Sequence, residues 1–444
     1  MDKSKEYSAK ISENTIKRRD FLKYSVAAAG GAALLGGGIP GLRTAAWAAG
    51  SDAPETTKAK LGFIALTDAA PLFVALEKGM FAKYGMPDVE VLKQSSWGTT
   101  RDNLVLGSER NGIDGAHILT PMPYLISSGA MTANNVKVPM VILARLNLAG
   151  QCISVGREYA DLKLGVDSTP FKAALAAKRA GGDEVRAAMT FPGGTHDLWI
   201  RYWMAAGGID PNRDIATIVV PPAQMVANMR VGSMDTFCVC EPWNEQLISQ
   251  GIGYTANTTG ELWDKHPEKA LGMRADWVEQ NPNATRALLK AVMEAQMFCE
   301  DPANVEEVAT ICSRRRWINA PFDDIIARMR GTFDYGTGKV VENSPHKMRY
   351  WKDHASYPFK SHDLWFLTEN QRWGYLPMNF DTQGLVEQVN REDIWRAAAA
   401  DLGLGSELVP ESTSRGKETF FDGKVFDPEN PKAYLDSLEI KATA

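Results

Sequence analysis

The sequence predicts an α/β protein of two Rossmann-like lobes, joined at a hinge, with a ligand cleft between them. Three observations carry this. Short apolar runs alternate with amphipathic stretches from about Lys60 onward, the order of a largely parallel sheet covered by helices. Near "NLAGQCISVG" one strand pattern runs into the next with no helix between, as at a crossover into a second domain. A chain of 444 residues is also too long for one ordinary core. A chain that leaves lobe one, builds lobe two and returns makes two crossovers, and two crossovers side by side make a hinge. The predicted lobes are 60–151 with 266–444, and 152–265.

The elements follow in order. "LGFIAL" (Leu61 to Leu66) is a short apolar strand, and "AAPLFVALEKGMFAKYG" has helical spacing and stops at Gly85. "VEVLKQ" is a strand, "GTTRDNLVLGSE" a helix opened by Thr99 or Thr100, "GIDGAHILT" a strand, "MPYLISSGA" a helix and "VPMVILARL" a strand. "LKLGVD" opens the second set, which continues through "IATIVV" and "MDTFCV"; the segment from "EPWNEQ" onward leads back to lobe one. Two long helices, "PNATRALLKAVMEAQMFCED" and "ANVEEVATICSRR", precede a Trp/Tyr-rich extension, the helix "REDIWRAAAADLGL" and an irregular acidic tail.

The N-terminus is of another kind. "KRRDFLK" (Lys17 to Lys23) carries paired arginines, an Ala/Gly-rich apolar stretch runs to about Gly38, and Ala46-Trp47-Ala48 matches a small-x-small cleavage site. This is the pattern of a twin-arginine export signal over 1–48, followed by a linker over 49–59. It predicts a periplasmic protein, held at the inner membrane if the signal is not cleaved. Without residues 1–48 the chain has 41 basic and 50 acidic side chains, a net charge of −9. No basic patch suggests nucleic acid as a partner. The five cysteines show no zinc-site spacing and read as buried free thiols, with Cys299–Cys312 the one bridge to consider.

"TFPGGTHDLW" (190–199) sets a titratable ring at the mouth of a helix, behind a Gly-rich loop. Unsatisfied N–H groups and the helix dipole there suit a small anion. Together with "KLGFIALTDAAPL", "SSWGTTRDNL", "GIDGAHILTPMPYLISSG", "VVPPAQMVANMRVGSMDTFCVCEPWN", "HPEKALGMRADWV" and "YPFKSHDLWFLTENQRWGYLP", this string resembles the nitrate-binding and bicarbonate-binding solute receptors of bacterial ABC importers, from about Lys60 to Leu404. The resemblance implies a periplasmic-binding-protein fold of type II, no catalysis and no cofactor. It also implies a membrane permease with its cytoplasmic ATPase as partners. It implies that Trp97, Gln151, His196 and Lys269 hold the ligand, with Thr195, Pro222 and Glu241 as secondary cleft residues. Glu241 reads rather as a structural anchor, because a carboxylate beside an anion repels it. The bicarbonate-binding members carry an acidic residue at the lysine position and take calcium with the ligand. Lys269 therefore favours nitrate or nitrite without metal. Cyanobacterial members carry a lipid-anchoring Cys after the signal, and this chain does not.

The residue types suit that ligand. Nitrate is flat and monovalent and offers only acceptors. Trp97 supplies an indole N–H, Gln151 an amide NH₂, His196 a ring N–H and Lys269 a full charge. Charge-assisted hydrogen bonds contribute about 1.5–3 kcal/mol each. The alternatives are a bicarbonate receptor with calcium, a cyanate or alkyl-sulfonate receptor, a cytosolic nitrate or nitrite sensor, and a pyridoxal-dependent enzyme of related fold. "CVCEPW" has only two of the thiols expected of that enzyme.

Overall fold

A computed structural model describes residues 52–442. The twin-arginine segment, its cleavage site and the first part of the linker lie outside the described residues.

Ten strands build two five-stranded sheets. The first uses β1 (Lys58–Phe63), β2 (Asp88–Lys93), β3 (Gly115–Leu119) and β4 (Met140–Arg145). The second uses β5 (Gln151–Gly156), β6 (Arg186–Met189), β7 (Ala216–Val219), β8 (Thr236–Cys240) and β9 (Gly253–Thr258). The last, β10 (Lys269–Arg274), returns to the first sheet. The orders are β2-β1-β3-β10-β4 and β7-β6-β8-β5-β9. With β6 set against β1 and the crossover strands β5 and β10 matched to each other, the two orders are the same.

The sheets are mixed rather than largely parallel. β1 runs parallel to β2 and β3, and β6 parallel to β7 and β8. The two crossover strands are the exceptions: β5 is antiparallel to β8 and β9, and β10 to β3 and β4. Each enters its sheet from the other lobe, at the edge where the parallel strands end, so it must run back against them. Its first residue then lies beside their last: Gln151 pairs with Cys240, and Lys269 with Leu119. The crossover topology thus delivers one amide and one ammonium to the carboxyl edges of the two sheets, where ligands of open α/β sheets bind.

The crossovers run side by side. Ala149 donates to the His266 carbonyl (3.0 Å), Glu268 to the Asn147 carbonyl (3.1 Å), and Leu146 to the Lys269 carbonyl (2.7 Å). Gly150 has φ +92°, and a Cβ there would lie 2.3 Å from Met348 Cε. Only glycine satisfies both conditions.

Several local readings change. β1 starts at Lys58, inside the predicted linker, because its first half alternates exposed and buried residues along β2, and an apolar run alone misses that half. Ser96, not Thr99 or Thr100, caps the helix Trp97–Leu106, accepting from the Thr99 N–H at 3.1 Å, so Trp97 becomes its first residue. "LKLGVD" forms no strand, and β9 keeps the chain in the second sheet after "EPWNEQ". The aromatic extension, predicted with lobe one, sends much of its apolar surface to the second core. Trp365 stacks on Trp199 at 5.1 Å, and Phe420, Phe426 and Tyr434 join the same cluster. All five cysteines are free and buried. No described helix is long and apolar enough to cross a membrane.

Candidate functional site: a buried charge relay between two helix mouths

Trp97, Gln151, His196 and Lys269 are all buried at 0% exposure, although they come from four distant stretches of chain. One continuous network joins the last three. The Lys269 ammonium lies 2.8 Å from Asp68 Oδ2. The Gln151 amide nitrogen is 3.4 Å from the same oxygen, and its Oε1 is 2.8 Å from His196 Nε2. That oxygen can only accept, so His196 donates from Nε2 and its bare Nδ1 accepts from the Thr190 hydroxyl at 2.6 Å. His196 and Gln151 therefore hydrogen-bond each other here.

Trp97 joins through its neighbour. Its ring centroid is 5.4 Å from that of His117, whose Nε2 lies 2.6 Å from Asp68 Oδ1. The indole Nε1–H is buried with no hydrogen-bond partner, while the Thr195 hydroxyl faces the Glu268 carboxyl. Unpaired buried donors are costly and rare in native proteins. One beside a buried ammonium can receive an acceptor.

Three members escaped the sequence reading: Asp68, His117 and Glu268. Asp68 sits in the turn Thr67–Ala69, ahead of the helix Ala70–Glu77. His117 lies within β3. Glu268 precedes Lys269, with Oε2 3.4 Å from the ammonium and Oε1 3.9 Å from His196 Nε2. They stand in the strings "LTDAA", "GAHIL" and "PEKA", and an isolated Asp, His or Glu carries no periodic signal. An Asp or Glu beside an apolar run was the one clue available.

Burial acts first on every charge here. It pushes the Asp68 carboxyl up, but Lys269 and His117 outweigh it and hold the group well below the usual carboxylate range. Burial would likewise lower Lys269; Asp68 and Glu268 hold it above its ordinary value. Burial takes His196 well below its usual range, helped by Lys269, and lowers His117 against the pull of Asp68. Burial pushes Glu268 up to about 7, with Lys269 and the Thr195 hydroxyl opposing. Near neutral pH the cluster thus holds one ammonium, one carboxylate, two neutral imidazoles and one carboxyl at its titration point.

Helix mouths add positive potential from both lobes. Trp97 is the first residue of Trp97–Leu106, and Thr195 and His196 are the first two of Thr195–Ala206. The sequence pointed to the second mouth only. Part of its loop is already occupied: the Gly193 N–H donates to Asp197 Oδ2 at 2.9 Å. Among the described residues no group of three or more His, Cys, Asp or Glu is arranged to hold a metal ion.

The remaining secondary residues lie apart from this network. Pro222 opens the short turn Pro222–Gln224 and brings no polar side-chain atom. The Glu241 carboxylate accepts from the Cys152 thiol (3.3 Å) and the Glu245 N–H (3.1 Å), and it faces Arg328 at 3.5 Å. Its backbone carbonyl takes the Thr67 N–H at 3.0 Å, tying lobe two to the turn that carries Asp68. Glu241 anchors the turn; its carboxylate faces away from the ligand cluster toward Arg328.

The nitrate/nitrite-binding protein NrtA of Synechocystis sp. PCC 6803 is 62% identical over 394 residues, covering 88% of this chain and 87% of the relative. The bicarbonate-binding protein CmpA of Synechococcus elongatus is 44% identical over 403 residues, covering 89% of each. The crystal structure of the periplasmic NrtA of Synechocystis PCC 6803 superposes with a TM-score of 0.85, covering 87% of this chain and all of that one. Residues 52–313 match the NMT1-like family, and on this match and these identities the chain belongs to that family, with a two-lobed periplasmic-binding-protein fold.

Proposed function

We propose that the chain is the solute-binding component of an ABC importer, and that it binds nitrate or nitrite in the cleft between its lobes for delivery to a membrane permease and its ATPase. The observation that carries this is the unpartnered buried Nε1–H of Trp97, in one cluster with the Lys269 ammonium. An acceptor-only anion satisfies both. Gln151 and His196 turn toward the ligand by exchanging their mutual bond for one to it. The site is wholly buried, so the anion enters when the lobes part and is enclosed when they close. The ligand's differential affinity for the closed form drives that closure. No covalent step is involved.

The choice of nitrate over bicarbonate rests on identity, 62% against 44%, and on Lys269. Its ammonium repels a calcium ion from the place where a bicarbonate site would need one. Pro222 lines the cleft at its edge in this reading. The twin-arginine segment exports the folded chain to the periplasm, where cleavage after Ala48 releases it. Titration calorimetry with nitrate, nitrite and bicarbonate plus calcium tests the ligand: heat with bicarbonate plus calcium and none with nitrate refutes the reading. Mass spectrometry of the periplasmic fraction tests the export step by the N-terminal residue found.

A further inference from the structure

Glu268 has no role in that account, yet it is the most exceptional group in the cluster. It is 0% exposed, with the Lys269 ammonium 3.4 Å from Oε2 and the Thr195 hydroxyl turned to its carboxyl. Its backbone is fixed on both sides. The N–H donates to the Asn147 carbonyl at 3.1 Å, and the carbonyl accepts the Thr120 hydroxyl at 2.6 Å. The carboxyl therefore cannot leave by a shift of the chain.

The groups facing it come from every side. Lys269 follows it on β10, and Asp68 approaches from the turn Thr67–Ala69, with His117 of β3 behind. Thr195 and His196 approach from their helix, and the buried Cys238 thiol from β8. Only one of these is a full cation, and Asp68 already balances it. An anion entering this cluster meets Asp68 as a fixed negative charge. A second one on Glu268 would stand against it with no cation left to compensate.

Resting on the anion reading above, we propose that Glu268 is a further ligand-binding residue that takes up one proton with the anion and donates the resulting O–H to it. The proton comes from solvent: the carboxylate becomes the acid, its O–H points to a nitrate oxygen, and no other bond changes. A neutral carboxyl turns a repelling group into a donor, which an acceptor-only ligand requires. The same change disfavours a ligand that brings its own O–H and needs an acceptor in return. The position of Glu268 on its titration curve near neutrality makes the proton available without a large penalty.

The test is nitrate titration calorimetry on the full chain at pH 6, 7.5 and 9, in two buffers of different ionisation enthalpy. The buffer difference counts protons taken up per nitrate bound. Uptake is expected to rise toward one as the pH rises, with affinity falling toward about tenfold per pH unit above neutrality. Glu268→Gln is expected to bind nitrate with no proton uptake and a flat pH profile. Nitrate binding without proton uptake in the parent protein overturns the proposal. So does uptake that persists in Glu268→Gln, which would put the proton on His196. No nitrate heat at any pH overturns the anion reading and this proposal with it. Should the variant not fold, an infrared difference spectrum of the parent decides: gain of a protonated-carboxyl band on nitrate binding supports the proposal, and its absence refutes it.

Discussion

Lobe one brings the cluster its charges: Asp68, Glu268, Lys269 and, beside them, His117 and the Trp97 indole. Lobe two, built on the same strand order, brings neutral groups: Gln151, Thr190, Thr195 and a His196 that burial keeps uncharged. Equivalent crossover strands begin with an ammonium on one side and an amide on the other. Topology fixes where a side chain meets the cleft, and sequence alone fixes what it does there. A charged half can hold an anion, and a neutral half can close over it without a second desolvated charge, whose cost grows steeply inside a protein.

The sharpest way to break this division is Lys269→Glu. It leaves three carboxyl groups and no cation in one buried cluster. Nitrate affinity should fall by more than 100-fold by calorimetry, and stability by about 3–5 kcal/mol in urea unfolding. Acid attacks the neutral imidazoles next. Burial sets His266 and His362 at about 3 in the folded state, so their stabilising contribution is full above about 6.5 and is lost as the pH falls toward 3. Each should cost about 2 kcal/mol at pH 5, read as a lower urea midpoint than at pH 8. His196, depressed well below its usual range, adds in the same direction.

Trp97→Phe sharpens the comparison on the ligand alone. The smaller ring leaves part of the pocket empty, and the unpartnered N–H is gone. Nitrate affinity should fall about tenfold, as for one lost hydrogen bond to a charged ligand. The melting temperature of the nitrate-free protein should fall by a few degrees, from the lost packing alone. A drop in melting temperature with unchanged affinity would mean the indole is only packing. Smallest of all, Pro222→Ala should change affinity by less than about twofold, because it removes no donor and no charge.

Much of the architecture was legible locally. The helix Pro282–Glu300 and strands β3, β4 and β8 announced themselves through apolar runs and periodicity, which depend only on which face of an element is buried. The strand-to-strand join at "NLAGQCISVG" marked a crossover, because no helix fits there. The four residues proposed to hold the ligand came through resemblance, not pattern, and nothing local distinguishes Lys269 from a solvated lysine. Asp68, His117 and Glu268 were missed for the same reason. A buried charge is recognised by its partner, and Asp68 meets Lys269 across 201 positions of sequence. The Ser96 cap was missed by preferring one hydroxyl over another three residues away.

By itself, then, the chain determined its alternating α/β elements, which local burial and hydrogen bonding dictate, and its return to the first sheet. Only the tertiary structure decided that the crossover strands run against their neighbours, that Gln151 and His196 pair, that the aromatic C-terminal segment packs on lobe two, and that two buried acids share one lysine. These are long-range pairings. Their energies exist only once distant segments have excluded water together.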